Sequence, residues 1–205
     1  MTVEPPPGPE ASAWMLRTRP ARRWWPPIAV LGVVITTTLG GFVAASALSE
    51  PAGAPVSIAG VVAVQPISGW EPAEPGSVAS RLFVRLTRGS GTLVVVAWGT
   101  VAGDAGLLAV EVRDDLLDAS LDQLTVSDRL TPVAFDQGLR GQRFTFVGID
   151  RESSTPVEGA VTTVVVPDGR GVVFVGLAPE GLLAFVDGDL HTMVTSAVVG
   201  PEATG

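Results

Sequence analysis

The chain has 205 residues, a formal net charge of −8 and no cysteine. That length suits one domain with additional segments, and the missing thiols exclude disulfides, thiolate metal sites, thiol catalysis and lipid attachment through a cysteine. The charge is unevenly placed: residues 1–27 carry four Arg against two Glu, or +2, and the remainder nine Arg against nineteen Asp and Glu, or −10. An acidic domain without a basic stripe repels phosphate backbones, so no nucleic acid partner is expected.

Residues 1–27 hold seven prolines, among them Pro5, Pro6 and Pro7, with few aliphatic residues between them. Prolines withhold backbone donors and fix φ, and the segment reads as a disordered cytoplasmic tail. Trp24 and Trp25 close it, where an amphipathic ring suits the membrane interface. Ile28 to Leu48 then runs 21 residues without a charge. As a helix it would extend about 31 Å, one hydrocarbon core. Arg17, Arg19, Arg22 and Arg23 crowd its N-terminal flank, and the other flank has no Arg before Arg81. Charge bias of this sign predicts a single transmembrane helix over 28–48, with the N-terminus cytoplasmic and the rest outside the cytoplasm in the cell membrane. A cleaved signal peptide is the rival, since Ala45-Ser46-Ala47 fits a small-x-small site; the length of the apolar run and of the preceding tail speaks for retention. Either route exports the chain beyond residue 48.

Residues 49–55 form a linker, and residues 56–199 an extracytoplasmic domain, with 200–205 as a C-terminal tail. Val56–Val64 is rich in β-branched residues and predicts a strand, followed by a loop over Glu71–Ser80. Leu82, Val84 and Leu86 alternate with Arg81, Phe83, Arg85 and Thr87, which predicts a strand with one buried face. Gly89-Ser90-Gly91 turns the chain into Leu93–Trp98, completing a hairpin. From Ala105 to about Leu124, Leu108, Val112, Leu116 and Ala119 make one stripe opposite Glu111, Asp114, Asp118 and Asp122, an amphipathic helix. Thr131–Phe135 and Phe144–Ile149 predict strands, and Val161–Val166 and Val172–Leu177 flank a Pro167-Asp168-Gly169-Arg170 turn. A last helix is predicted from Pro179-Glu180, with Leu182, Val186, Leu190, Met193 and Val194 at helical spacing, ending before Gly200-Pro201. The fold class expected is α+β: an antiparallel β-sheet with two packing helices on one or both faces, preceded by the transmembrane helix.

This order resembles the PsbP-like fold, named for extrinsic photosystem proteins and shared with envelope lipoproteins, notably of actinobacteria. The resemblance rests on Gly69-Trp70, the Leu82–Trp98 hairpin, the acidic helix after Gly103-Asp104, Gly141-Gln142-Arg143-Phe144, the Val161–Leu177 hairpin and the Leu182–Val198 helix. It covers roughly residues 56–199 and consists of element order. It implies a docking or accessory module, and some envelope relatives are implicated in binding lipids or partner proteins. The chain departs from the lipoproteins in having a peptide anchor and no acylated cysteine.

Residues that could carry chemistry are few. His191 is the sole histidine, with Asp187 and Asp189 before it on the predicted helix. One imidazole and two carboxylates on one short segment do not complete a metal shell, so a surface ion pair is expected. Asp114, Asp118 and Asp122 share a predicted helix face, and a helix does not wrap a cation as a calcium loop does. Ser90 is not in a G-x-S-x-G elbow and has no neighbouring base in sequence. Trp70 and Trp98 could line an apolar groove, but core or sheet-edge positions are commoner. No catalytic, cofactor or metal residues are therefore expected. The function expected is a membrane-anchored interaction or docking module without catalytic activity, whose partners are the membrane, through residues 28–48, and an envelope protein or lipid. A carrier for an envelope lipid or other apolar ligand, held between sheet and helix, is the alternative; an enclosed cavity near Trp70 or Trp98 would favour it.

Overall fold

A computed structural model of the protein describes residues 53–78, 81–200 and 203. The tail, the apolar run of residues 28–48 and most of the linker lie outside these residues, and so does the predicted membrane crossing. Among the described residues no helix is long and apolar enough to cross a membrane.

The chain opens with β1 (Val56–Ile58) and β2 (Val62–Val64), a tight antiparallel hairpin where the sequence predicts one strand. The break is at Ala59-Gly60, where both residues take left-handed φ of 53° and 61°. The predicted loop over Glu71–Ser80 contains two short strands, β3 (Glu71–Pro72) and β4 (Gly76–Val78), both paired with β5 (Arg81–Arg88). β5 turns at Gly89 into β6 (Gly91–Thr100), as predicted. After the first helix come β7 (Leu121–Val126), β8 (Thr131–Ala134), β9 (Arg140–Asp150), β10 (Pro156–Val165) and β11 (Arg170–Pro179). The large sheet runs β3-β5-β6-β11-β10-β9-β7, with β4 also on β5 and β8 also on β9, and every pairing is antiparallel. β6 and β11 occupy its middle. Their Val-rich runs follow from position, because a central strand with one face buried and part of the other covered has few places left for polar residues.

The two helices take opposite faces of this sheet, the expected α+β class with one helix to a side. Helix α1 (Ala105–Val112) starts on Asp104, whose carboxylate accepts the backbone N–H groups of Gly106 and Leu107 at 2.9 and 3.0 Å. Such a cap satisfies donors that the first turn leaves free. Thr163 of β10 donates its buried hydroxyl to the Ala105 carbonyl at 2.7 Å, pinning the helix start to the sheet. The helix widens into a π-turn over Arg113–Leu117 and finishes with Asp118–Ser120. It does not continue to Leu124 as its apolar spacing predicts. Leu121 is already extended and opens β7, which pairs with β9 around a bulge where Gln123 has φ 50°. The coincidence of Leu117, Leu121 and Leu124 at helical spacing hid a strand whose cross-strand bonds to β9 outweigh that pattern.

Helix α2 (Leu183–Thr195) lies on the other face. It begins later than Pro179-Glu180 predicts, because Pro179 is the last residue of β11 and pairs with Val157. Leu182 supplies no side-chain cap, and the Leu183 N–H is instead taken at 2.6 Å by the carboxylate of Glu158 on β10. A carboxylate at a helix N-terminus also meets the positive end of the helix dipole. Beyond α2, β12 (Val198–Val199) pairs with β2, so β1-β2-β12 form a small second sheet on this face. Gly176 of β11 makes the helix contact possible: a Cβ there would come within 2.7 Å of a Leu190 methyl.

Candidate functional site

Strand alternation sorts side chains onto the two faces. On the α2 face, Leu86, Leu93, Val95, Phe174, Leu190 and Met193 join residues of the small sheet in one buried cluster. On the α1 face, Val96, Trp98, Leu108, Val112, Phe144, Phe146, Val161 and Val173 form a second. Each cluster contains one tryptophan held in the same manner. Trp70, buried on the α2 face, donates its indole N–H to Asp189 of α2 at 3.2 Å, and Arg88 from the end of β5 pairs with the same carboxylate oxygen. Trp98, buried on the α1 face, donates to Glu111 of α1 at 3.1 Å. Arg81, from the other end of β5, lies 3.6 Å from the Trp98 ring centroid and 3.4 Å from Asp115. Both tryptophans are thus core residues whose polar edge ties a helix to the sheet. Neither lines an open cavity.

The other residues singled out in the sequence are dispersed. Asp187 pairs with Arg143 of β9 and Asp189 with Arg88, so both carboxylates turn to arginines on the sheet and His191 stands exposed without an acidic partner within 4 Å among the described residues. Asp114 pairs with Arg113 at 2.8 Å and Asp122, on β7 rather than the helix, with Arg151 at 2.7 Å; the shared helix face of three aspartates does not exist. Ser90 sits in the β5–β6 turn at the margin of the α1 face, on the far side of the sheet from His191. Among the described residues no group of three metal-ligating side chains converges.

What the structure brings together instead is a trough on the α1 face. Helix α1 lies over β9 and β10, and the chain leaves it at Ser120 to build β7. The β5–β6–β11 side of the same face is left uncovered. The floor there is Phe83 and Arg85 of β5, Val94 of β6, Val175 and Leu177 of β11, and Val157 of β10. The wall is the end of the first helix, with Leu116, Leu117 and Ser120, continued by the β9–β10 turn, with Glu152 and Ser153. The volume enclosed is about 710 Å³, as a cleft open to solvent and not a sealed cavity. Phe83, Val94, Val157, Leu116 and Leu177 are half-buried, packed against the cluster beneath yet facing the opening.

The two parts of this wall are bonded to each other. Arg151 at the turn donates from its guanidinium to the Ala119 carbonyl at 3.0 Å and from its backbone to the Ser120 carbonyl at 3.1 Å, as well as pairing with Asp122. A cation and a backbone donor thereby satisfy carbonyls at the helix C-terminus. Within the turn, Ser153 donates its hydroxyl and its backbone N–H to Asp150, which holds that carboxyl below its ordinary pKa. Ser154 completes the turn with φ 54°. The wall is therefore held by the chain's own hydrogen bonds. Arg85, by contrast, has an exposed guanidinium with no carboxylate partner among the described residues, and Glu152 likewise has no cation. Reading β5 as a strand with a solvent face missed this site; the interspersed Phe83 among Arg81, Arg85 and Thr87 was its only trace in sequence.

One twisted antiparallel sheet with a helix on each face and an N-terminal hairpin closing one side is the PsbP-like fold. Two solved structures share it: the solution structure of the PsbP protein of the cyanobacterium Synechocystis, CyanoP, and the crystal structure of LpqN, a Mycobacterium tuberculosis protein involved in cell envelope biogenesis. CyanoP matches with a TM-score of 0.50 at 12% identity, over 71% of this chain and 91% of its own. LpqN matches with a TM-score of 0.50 at 15% identity, over 74% of this chain and 87% of its own. No protein-family model matches the sequence, and no curated protein is similar to it in sequence.

Proposed function

We propose that the chain is a non-catalytic binding module, tethered to the cell membrane by residues 28–48 with its folded domain outside the cytoplasm, and that it engages its partner at the trough on the α1 face. The trough carries this reading. A sheet face whose strands are covered by a helix on one side and left half-exposed on the other is an unfinished layer. Its wall is held by hydrogen bonds from Arg151 and Ser153. Tethering keeps the domain at the membrane surface and raises its effective concentration toward partners there. The open form supports docking over carriage, because a carrier encloses its apolar cargo and the residues around Trp70 and Trp98 are solidly packed.

Replacing Leu177 by Glu puts a charge in the trough at a half-buried position on the rim of the buried cluster. Partner recovered with the full chain from membranes is expected to fall at least about tenfold, since a central apolar contact of an interface carries that much. Phe185→Glu, on the exposed side of α2, is the control and should leave recovery unchanged. Equal loss from both, or from neither, rules the trough out as the binding surface. A reporter enzyme active only outside the cytoplasm, fused at the C-terminus, tests the orientation; its silence would reverse it.

A further inference from the structure

If the trough is the docking surface, its shape and charges select what occupies it, and we infer that the occupant is an amphipathic helix of a partner protein, with an acidic residue on one flank and a basic residue on the other. The floor supplies side chains only. β5, β6, β11 and β10 each have hydrogen-bonded neighbours on both sides, so no backbone edge is on offer and an extended peptide could not add as a strand. The four floor strands span about 14 Å at ordinary strand spacing. A helix with its side chains is about 10–12 Å across and fits on that floor, beside the wall. It would lie beside α1 and finish the layer that α1 begins. A single acyl chain matches less well, because it is apolar all round and a cleft open on one side would leave half its surface in water. An amphipathic helix has the two-sided character that the opening demands.

Charge sets the polarity. Arg85 stands at the β5 margin of the floor and Glu152 at the opposite wall, each without a partner of opposite sign among the described residues. A helix placed between them is complementary when a carboxylate faces Arg85 and a Lys or Arg faces Glu152, and is repelled when turned end for end. The same two charges would steer register more than they add affinity.

The test uses the full-length chain in its own membrane, with photoreactive benzoylphenylalanine incorporated at position 92, whose native Thr92 lines the trough. The expected adduct is a protein segment with apolar residues at three- and four-residue spacing and an acidic flank. Made as a synthetic peptide, that segment should bind about tenfold more weakly to the Arg85→Glu chain and recover when its carboxylate is changed to Arg, as a directly opposed charge pair requires. Arg85 is exposed, and an unchanged melting temperature of the variant verifies that its fold is intact. Adducts to lipid alone, or to a segment without helical spacing, overturn the helix while leaving the trough a binding site. No adduct at position 92, with reaction from the same probe at position 185 on α2, overturns the docking surface itself.

Discussion

On the α2 side of the large sheet, Leu86, Leu93 and Phe174 lie fully buried under a helix and a three-stranded sheet. On the α1 side, Phe83, Val94 and Leu177 from the same three strands stand half-exposed. Both sets are apolar, and both sit at alternate positions of well-paired strands. The difference is in what the chain places over them. A finished face needs its residues for stability; a face left open at the end of α1 keeps apolar area that stability alone does not explain. Contiguous apolar surface next to a preformed wall is where a partner gains most from burial.

Truncation separates the faces most sharply. Phe174→Ala should cost about 3–5 kcal/mol by denaturant unfolding, because it leaves a void against Phe135, whose ring centroid is 5.9 Å away. Leu177→Ala should cost less than about 1.5 kcal/mol, since water already reaches the side chain. Equal costs would mean that the trough is core and the contrast false. The tryptophan ties come next. Asp189→Ala leaves the N–H of the buried Trp70 without its partner, while the exposed Arg88 turns to water, an expected loss of about 1–3 kcal/mol. Glu111→Ala should cost less, because Glu111 is exposed and water can replace it at Trp98. A larger loss at Glu111 than at Asp189 would show that the α1 face is the more tightly sealed of the two.

The smallest effect concerns the trough wall. Ser153→Ala removes hydroxyl donation to Asp150, so the carboxyl pKa, observed by NMR titration, should rise toward the ordinary value. A carboxyl held low in the folded state stabilises it above the unfolded pKa, near pH 4, and that contribution is lost as pH falls through the lower folded value. Acid below about pH 4 should therefore loosen the β9–β10 turn, and the variant should show less of that dependence. No change in the Asp150 titration would remove the turn as a preformed wall.

Much of the domain was legible in local pattern. The β5–β6 hairpin followed from alternation and Gly89-Ser90-Gly91, the β10–β11 hairpin from Pro167-Asp168-Gly169, and the two helices from apolar spacing. The errors fell where local signals competed with pairing. Leu121 and Leu124 keep helical spacing yet belong to β7, Pro179 looks like a first-turn proline yet ends β11, and Val56–Val64 reads as one strand yet folds back at Ala59-Gly60. The site was the least legible part. Arg85 and Leu177 lie 92 positions apart in sequence and share one floor only because β6 pairs with both of their strands.

By itself the sequence determined the absence of thiol chemistry, the acidic domain, the α+β class and the periodicity of both faces, because composition and side-chain period are properties of neighbouring residues. The tertiary structure decided which face each helix covers, where α1 stops, and hence that half of one face stays open. Those outcomes depend on competition between cross-strand hydrogen bonds and helix continuation at Ser120, a balance between residues far apart in the chain.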